Sequence, residues 1–210
     1  MGAAEMTRLR SAAGLRRAEE CLSSLLGVPF VMEFSFARNA DTVGDALSRR
    51  ALERANGRRA LARVLKRLKL GSHAQARGLQ FPYPQLSLSH SQDLAIAVGV
   101  ESPFVGVGVD FEFNRPVNPR AAKLFLSESE QRRLPFPTST TLLKMWTVKE
   151  ALFKSDPHNG ENWLLRYETK THRKNVGMAR KQFSVGGCRF QYASFAAEDG
   201  VISVAFCLRR

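Results

Sequence analysis

Phe104-Val-Gly-Val-Gly-Val-Asp110-Phe-Glu112 is a short apolar run that ends in two acids. Its composition and bounds predict a strand. On a strand Asp110 and Glu112 stand at i and i+2, so both side chains leave the same face. Carboxylates about 7 Å apart beside an apolar run repel each other unless a cation sits near them. A hard divalent cation with oxygen ligands is the natural occupant. Mg²⁺ usually takes one or two carboxylates together with water and phosphate oxygens. A pair of surface acids at a strand end is the plainer alternative.

Working outward, Leu86–His90 (LSLSH) and Leu94–Val100 (LAIAVGV) precede this run, and the tight spacings at Ser91-Gln-Asp93 and Glu101-Ser-Pro103 predict antiparallel hairpins. Residues 28–37 alternate as a strand. Residues 45–70 read as a helix broken at Asn56-Gly57, with Leu61, Leu65 and Leu68 forming an apolar stripe beneath a basic face. Residues 71–85 read as a loop from their Gly and Pro content. Downstream, Pro116 and Pro119 end the strand. Ser127 with Glu130 is a capping-box pattern opening a helix near FLSESEQRRL, and a second helix spans about Thr140 to Lys154, closed by Ser155-Asp156-Pro157. Strands are expected at 182–185, 188–195 and 201–208. The resulting class is α+β. Two similar α/β halves, residues 1–104 and 105–210, are expected to form a pseudo-dimer with the active site in the cleft between them.

The chain has 210 residues, with 32 Lys+Arg against 19 Asp+Glu and a formal charge of +13. At about 150 residues per domain that length suggests one or two domains. Its 44% hydrophobic and 24% charged residues exclude a wholly disordered chain. No apolar run approaches the ~20 residues that span a bilayer. Three cysteines without CxxC spacing suggest neither a disulfide framework nor a zinc ribbon. The N-terminus lacks an apolar h-region, so a cytoplasmic location is expected. The excess of base implies an acidic partner. Ten basic residues and one acid, Glu53, lie between Arg49 and Arg77, and a second basic stretch runs from Arg166 to Arg189. A solvated helix face is the ordinary reading of the first.

Two further motifs stand out. In Trp146-Thr-Val-Lys149-Glu150-Ala-Leu-Phe-Lys154, Met145, Val148 and Leu152 cluster on one helix side, with Glu150 and Lys154 at i, i+4 on the other. Alone this is an ordinary helix-stabilising pair. In Ser87-Leu-Ser89-His90-Ser91, a histidine flanked by hydroxyls at a strand end suits a phosphate, although a lone histidine is more often structural. Together, Ser89-His90-Ser91, Val-Gly-Val-Asp110 with Glu112, and the later W-x-x-K-E-x-x-x-K closely resemble the 4′-phosphopantetheinyl transferase superfamily, specifically its longer two-half, surfactin-synthetase-activating type. The resemblance covers about residues 58–154.

That resemblance implies an enzyme that moves the 4′-phosphopantetheine arm of coenzyme A to a serine of an acyl or peptidyl carrier protein. Asp110, Glu112 and Glu150 would ligate Mg²⁺ (or Mn²⁺). Glu150, directly or through a bound water, would take the serine proton, and Lys154 would meet the leaving phosphate oxygen. Coenzyme A would be contacted by Ser89, His90, Asp110, Lys149 and Lys154, by Arg77 at the adenine, and by Arg59 at the 3′-phosphate, with Arg58 and Arg63 as alternatives. The expected partners are coenzyme A and an acidic carrier protein, with no nucleic acid and no membrane, and the two-half length implies a monomer. The physics is coherent, since phosphoryl-type transfer rests on positioning and charge neutralisation. It requires helix 140–154 to pack beside strand 104–112. Two rivals remain: a basic nucleic-acid-binding protein, which explains +13 but not three converging acids, and a catalytically inactive module that binds coenzyme A or a carrier.

Overall fold

Among the described residues, two antiparallel sheets and four α-helices make a mixed α+β structure. The computed structural model describes residues 8–36, 46–71, 78–81, 83–101, 105–159, 164–173, 175–182 and 188–208. Helix α1 (Ala12–Leu26) starts at Ser11, whose hydroxyl accepts from the Gly14 N–H, and stops at Gly27 in the left-handed region. Strand β1 (Val31–Phe36) and helix α2 (Ala46–Arg67) follow. Strands β2 (Leu86–Ser91) and β3 (Leu94–Gly99) form the expected hairpin, with Ser91 opposite Leu94. β1 pairs with the other edge of β3, so the first sheet runs β1–β3–β2.

Helix α2 covers one face of that sheet. Ala60, Leu61, Val64, Leu65 and Leu68 pack on Leu86, Ala95 and Ala97, and each large apolar side chain buried this way contributes about 1.5–3 kcal/mol. The helix is not broken at Asn56-Gly57. Asn56 donates from Nδ2 to the Asp93 carbonyl at 2.9 Å, and a Cβ on Gly57 would lie 2.8 Å from Leu88 Cδ2. The dipeptide docks the helix on the β2–β3 hairpin, so tertiary contact overrides local propensity.

The second sheet holds β4 (Val105–Phe113), β5 (Tyr167–Arg173), β6 (Val176–Lys181), β7 (Arg189–Ala196) and β8 (Gly200–Leu208), in the order β4–β8–β7–β6–β5. The expected β3–β4 hairpin does not form, because β4 pairs along its length with β8, Asp110 facing Ser203. β5 and β6 are built from the basic segment after Arg166. Of the strand expected at 182–185, Gln182 lies in a turn and the rest lies outside the described residues. Among the described residues, the first sheet has three strands and the second five. A single hydrophobic cluster nevertheless runs through both: Leu15 and Leu22 of α1, Ile96 and Val98 of β3, Val107, Val109 and Phe111 of β4, and Val204 and Phe206 of β8.

Helix α3 (Glu128–Arg133) carries the predicted capping box between Ser127 and Glu130, and helix α4 (Ser139–Ser155) is capped by Thr138. α4 lies on β4 and β8. Glycine makes that approach possible: a Cβ on Gly106 would fall 2.1 Å from the Ser155 carbonyl oxygen, and one on Gly108 only 1.9 Å from that of Ala151. Among the described residues, no helix is long and apolar enough to cross a membrane.

Candidate active site

Alternation along β4 sets the site. Val107, Val109, Phe111 and Phe113 enter the core, while Gly106, Gly108, Asp110 and Glu112 face the other way. The glycines of that second face take the C-terminal turns of α4, and the two acids extend the row past them. The helix runs antiparallel to the strand, Ser155 over Gly106 and Ala151 over Gly108, which brings the 150–154 turn beside Asp110. Lys154 donates from Nζ to Asp110 Oδ1 at 2.7 Å.

Asp110 is only 6% exposed. Its Oδ1 also accepts from the Ser89 hydroxyl at 2.8 Å, whereas its Oδ2 is buried with no hydrogen-bond partner among the described residues. Burial pushes this carboxyl above its ordinary range; Lys154 and Ser89 oppose the shift and Glu112 adds to it. Glu112 accepts on Oε2 from the Ser91 hydroxyl at 3.1 Å and approaches Arg115 at 3.5 Å through Oε1. Glu150 is partly buried and is likewise pushed up, first by burial and then by the charges of Asp110 and Glu112, with Lys154 opposing. The three acids therefore lie within one another's field.

These residues fit an oxygen-liganded cation in donor chemistry, and the buried, unpartnered Oδ2 of Asp110 is the atom such an ion would satisfy. Among the described residues, however, no three acidic, imidazole or thiolate groups are gathered around one point. Asp110 is neutralised by Lys154 instead.

The other expected contacts scatter. Ser89 is buried and committed to Asp110 and to the Phe111 N–H. His90 is exposed, its Nε2 3.7 Å from Glu53 Oε2. Arg59 is exposed and lines a cleft of about 620 Å³ with Phe34, Ser35, Phe36, Leu52 and Arg63. Arg77 lies outside the described residues. Lys149 departs from its expected role as a coenzyme contact. Its side chain is fully buried, paired with Glu130 Oε2 at 2.7 Å and donating to the Tyr167 carbonyl. One residue step on a helix turns a side chain by about 100°, so adjacent Lys149 and Glu150 cannot share a face.

The sequence offers Ser91 only as part of the Ser89-His90-Ser91 motif and Glu130 only as a cap. The signal for Ser91 was present, since Ser87, Ser89 and Ser91 fall at i, i+2, i+4 and must line one face of β2. Glu130 reads as a cap, which it is; its second role under Lys149 depends on contacts from β5 that local sequence does not reveal.

No curated protein matches the chain. Residues 106–202, from β4 to the start of β8, match the family model of the 4′-phosphopantetheinyl transferase superfamily. That matched stretch holds Asp110, Glu112, Glu150 and Lys154.

Proposed function

We propose that the chain is a phosphopantetheinyl transferase that moves the 4′-phosphopantetheine arm of coenzyme A to a serine of an acyl or peptidyl carrier protein. The superfamily domain supports the transferase role. The observation that carries the site assignment is the buried, unpartnered Oδ2 of Asp110, set in the field of Glu112 and Glu150.

In this reading the carrier serine oxygen attacks the phosphorus that bears the pantetheine arm. The bond from that phosphorus to the bridging oxygen of the diphosphate breaks, and 3′,5′-ADP leaves. Glu150 takes the serine proton; its raised affinity for a proton suits a base, because a hydroxyl is a weak nucleophile until deprotonated. Lys154 meets the charge that develops on the leaving oxygen. A divalent cation, Mg²⁺ or Mn²⁺, held by Asp110, Glu112 and Glu150 supplies Lewis-acid neutralisation of the diphosphate when bound. Arg59 and His90 contact the coenzyme phosphates, Arg59 with a full positive charge. Residues 1–104 supply the nucleotide contacts and 105–210 the acids, with the substrate lying between two halves of one monomer in the cytoplasm. The hydrogen bond from Ser89, before residue 104, to Asp110, after it, supports a site shared by the two segments. The basic surface suits an acidic carrier.

The test is direct. Protein, coenzyme A and Mg²⁺ are incubated with a panel of apo carrier proteins, and each carrier is weighed by mass spectrometry. The reading expects one or more carriers to gain the arm. If none does with any divalent metal, the reading fails.

A further inference from the structure

β2 and β4 lie side by side without a backbone ladder between them, since β4 pairs with β8 and β2 with β3. Side-chain hydroxyls bridge the seam instead. Ser87 accepts from the Val109 N–H at 3.0 Å. Ser89 accepts from the Phe111 N–H at 3.3 Å and donates to Asp110 Oδ1 at 2.8 Å. Ser91 donates to Glu112 Oε2 at 3.1 Å. A hydroxyl has one proton to give, so Ser89 gives its proton to the first acid of β4 and Ser91 gives its proton to the second.

We infer that Ser91, together with Ser89, is a positioning residue: the two hydroxyls of β2 hold the Asp110 and Glu112 carboxylates in the orientation a divalent cation needs. This rests on the metal assignment proposed above. A donor on one carboxylate oxygen fixes the group's rotation: Asp110 keeps Oδ2 for an ion, and Glu112 keeps Oε1, which now faces Arg115 at 3.5 Å and would exchange that contact for the ion. Such outer partners commonly govern metal affinity as strongly as a weak ligand does. The row is held on its far side by the β2–β3 ladder, where Ser89 faces Ile96 and Ser91 faces Leu94, so the spacing of the hydroxyls is fixed by backbone. Ser87 belongs to the same row but, among the described residues, touches no carboxylate, which makes it the internal control.

The experiment measures Mn²⁺ binding to the full chain by electron paramagnetic resonance, with coenzyme A present and carrier absent, and follows thermal melting alongside. Ser91→Ala is expected to weaken Mn²⁺ binding about tenfold or more, and Ser91→Thr, which keeps the hydroxyl, to restore most of it. Ser87→Ala is expected to lower the melting temperature while leaving Mn²⁺ affinity unchanged. If Ser91→Ala does not fold, Ser91→Cys, close in shape but a poor donor, makes the same comparison. The inference is overturned if Ser91→Ala, or Ser91→Cys in its place, binds Mn²⁺ as the unaltered chain does, if Ser87→Ala weakens binding as much as Ser91→Ala, or if the unaltered chain binds no Mn²⁺. A chain that binds Mn²⁺ through Ser91 yet arms no carrier would end the transferase reading and leave this inference standing.

Discussion

Lys154 Nζ stands 2.7 Å from Asp110 Oδ1, tying the last turn of α4 to the middle of β4. The contact depends on the glycines two and four residues before Asp110, which let the helix lie against the strand backbone. It also leaves the aspartate half-satisfied, because Oδ2 is buried without a partner among the described residues. Packing and chemistry thus share one local arrangement: a close helix–strand contact delivers an ammonium and a carboxylate, Glu150, to a strand that already carries two acids.

Glu150→Gln separates chemistry from folding. The Glu150 carboxyl is raised by burial and by Asp110 and Glu112. A group whose folded pKa lies above its unfolded value binds its proton more tightly when folded. Its favourable contribution is therefore present at low pH and is lost as pH rises through the raised value. At neutral pH the ionised side chain costs stability, and the neutral glutamine removes that cost. The variant is expected to melt at or above the temperature of the unaltered chain in chelator, and to arm no carrier. Near-normal transfer by mass spectrometry would remove Glu150 from the role of base.

Gly108→Ala tests the helix–strand contact. The added Cβ would lie 1.9 Å from the Ala151 carbonyl oxygen, a backbone atom that cannot step aside alone. Overpacking of this kind costs about 1–3 kcal/mol, read as a lower denaturation midpoint. Because the displaced segment carries Glu150 and Lys154, arm transfer should fall further than the stability loss explains. A variant with an unchanged midpoint would mean that the two backbones are not held in this contact.

Much of this arrangement was legible in sequence because it is local. Asp110 and Glu112 share a strand face by the two-residue period, Ser127 and Glu130 cap by spacing, and the strand expected at 201–208 is β8, although it is buried on both faces rather than one. What failed was non-local. Asn56-Gly57 resembles a helix break until Leu88 and Asp93 give each residue a partner. The Glu101-Ser-Pro103 spacing suggests a hairpin, yet β4 finds β8 almost a hundred residues later. β5 and β6 lie inside the basic stretch from Arg166 to Arg189, where charged residues interrupt the apolar alternation that marks a strand. Lys149 could be placed only once Glu130 and Tyr167 had been brought beneath the helix.

The Glu130–Lys149 pair predicts an acid-labile lock beneath the site. Burial pushes Glu130 up, but Lys149 and the Thr169 hydrogen bonds outweigh it, and the carboxyl ends below its ordinary value. A depressed folded pKa means stability that is present above the unfolded value and lost as pH falls through the folded one. That loss should fall below the usual carboxylate range, and Glu130→Gln should flatten this part of an acid-unfolding curve. Lys149→Met strands a buried carboxylate, a change that typically costs about 3–5 kcal/mol. Adding Glu130→Gln to Lys149→Met should recover part of the loss in denaturant midpoint. If Lys149→Met is as stable as the unaltered chain, the pair contributes nothing to the fold.

Arg59 and Arg63 both line the cleft beside β1, but their surroundings differ. Arg63 donates from Nη1 to the Phe34 carbonyl at 2.5 Å, so part of its guanidinium serves the α2–β1 contact. Arg59 is exposed at the same cleft. If the coenzyme's 3′-phosphate is met here by Arg59, Arg59→Ala removes a charge-assisted contact of about 1.5–3 kcal/mol, tenfold or more in KM for coenzyme A. 3′-Dephospho-coenzyme A lacks that phosphate, so the same variant should leave its KM nearly unchanged. Arg63→Ala should act mainly on the melting temperature. Steady-state kinetics with the two coenzymes settle the assignment: an Arg59→Ala effect of equal size on both would place the 3′-phosphate elsewhere, and a coenzyme-selective loss in Arg63→Ala would move the contact to that residue.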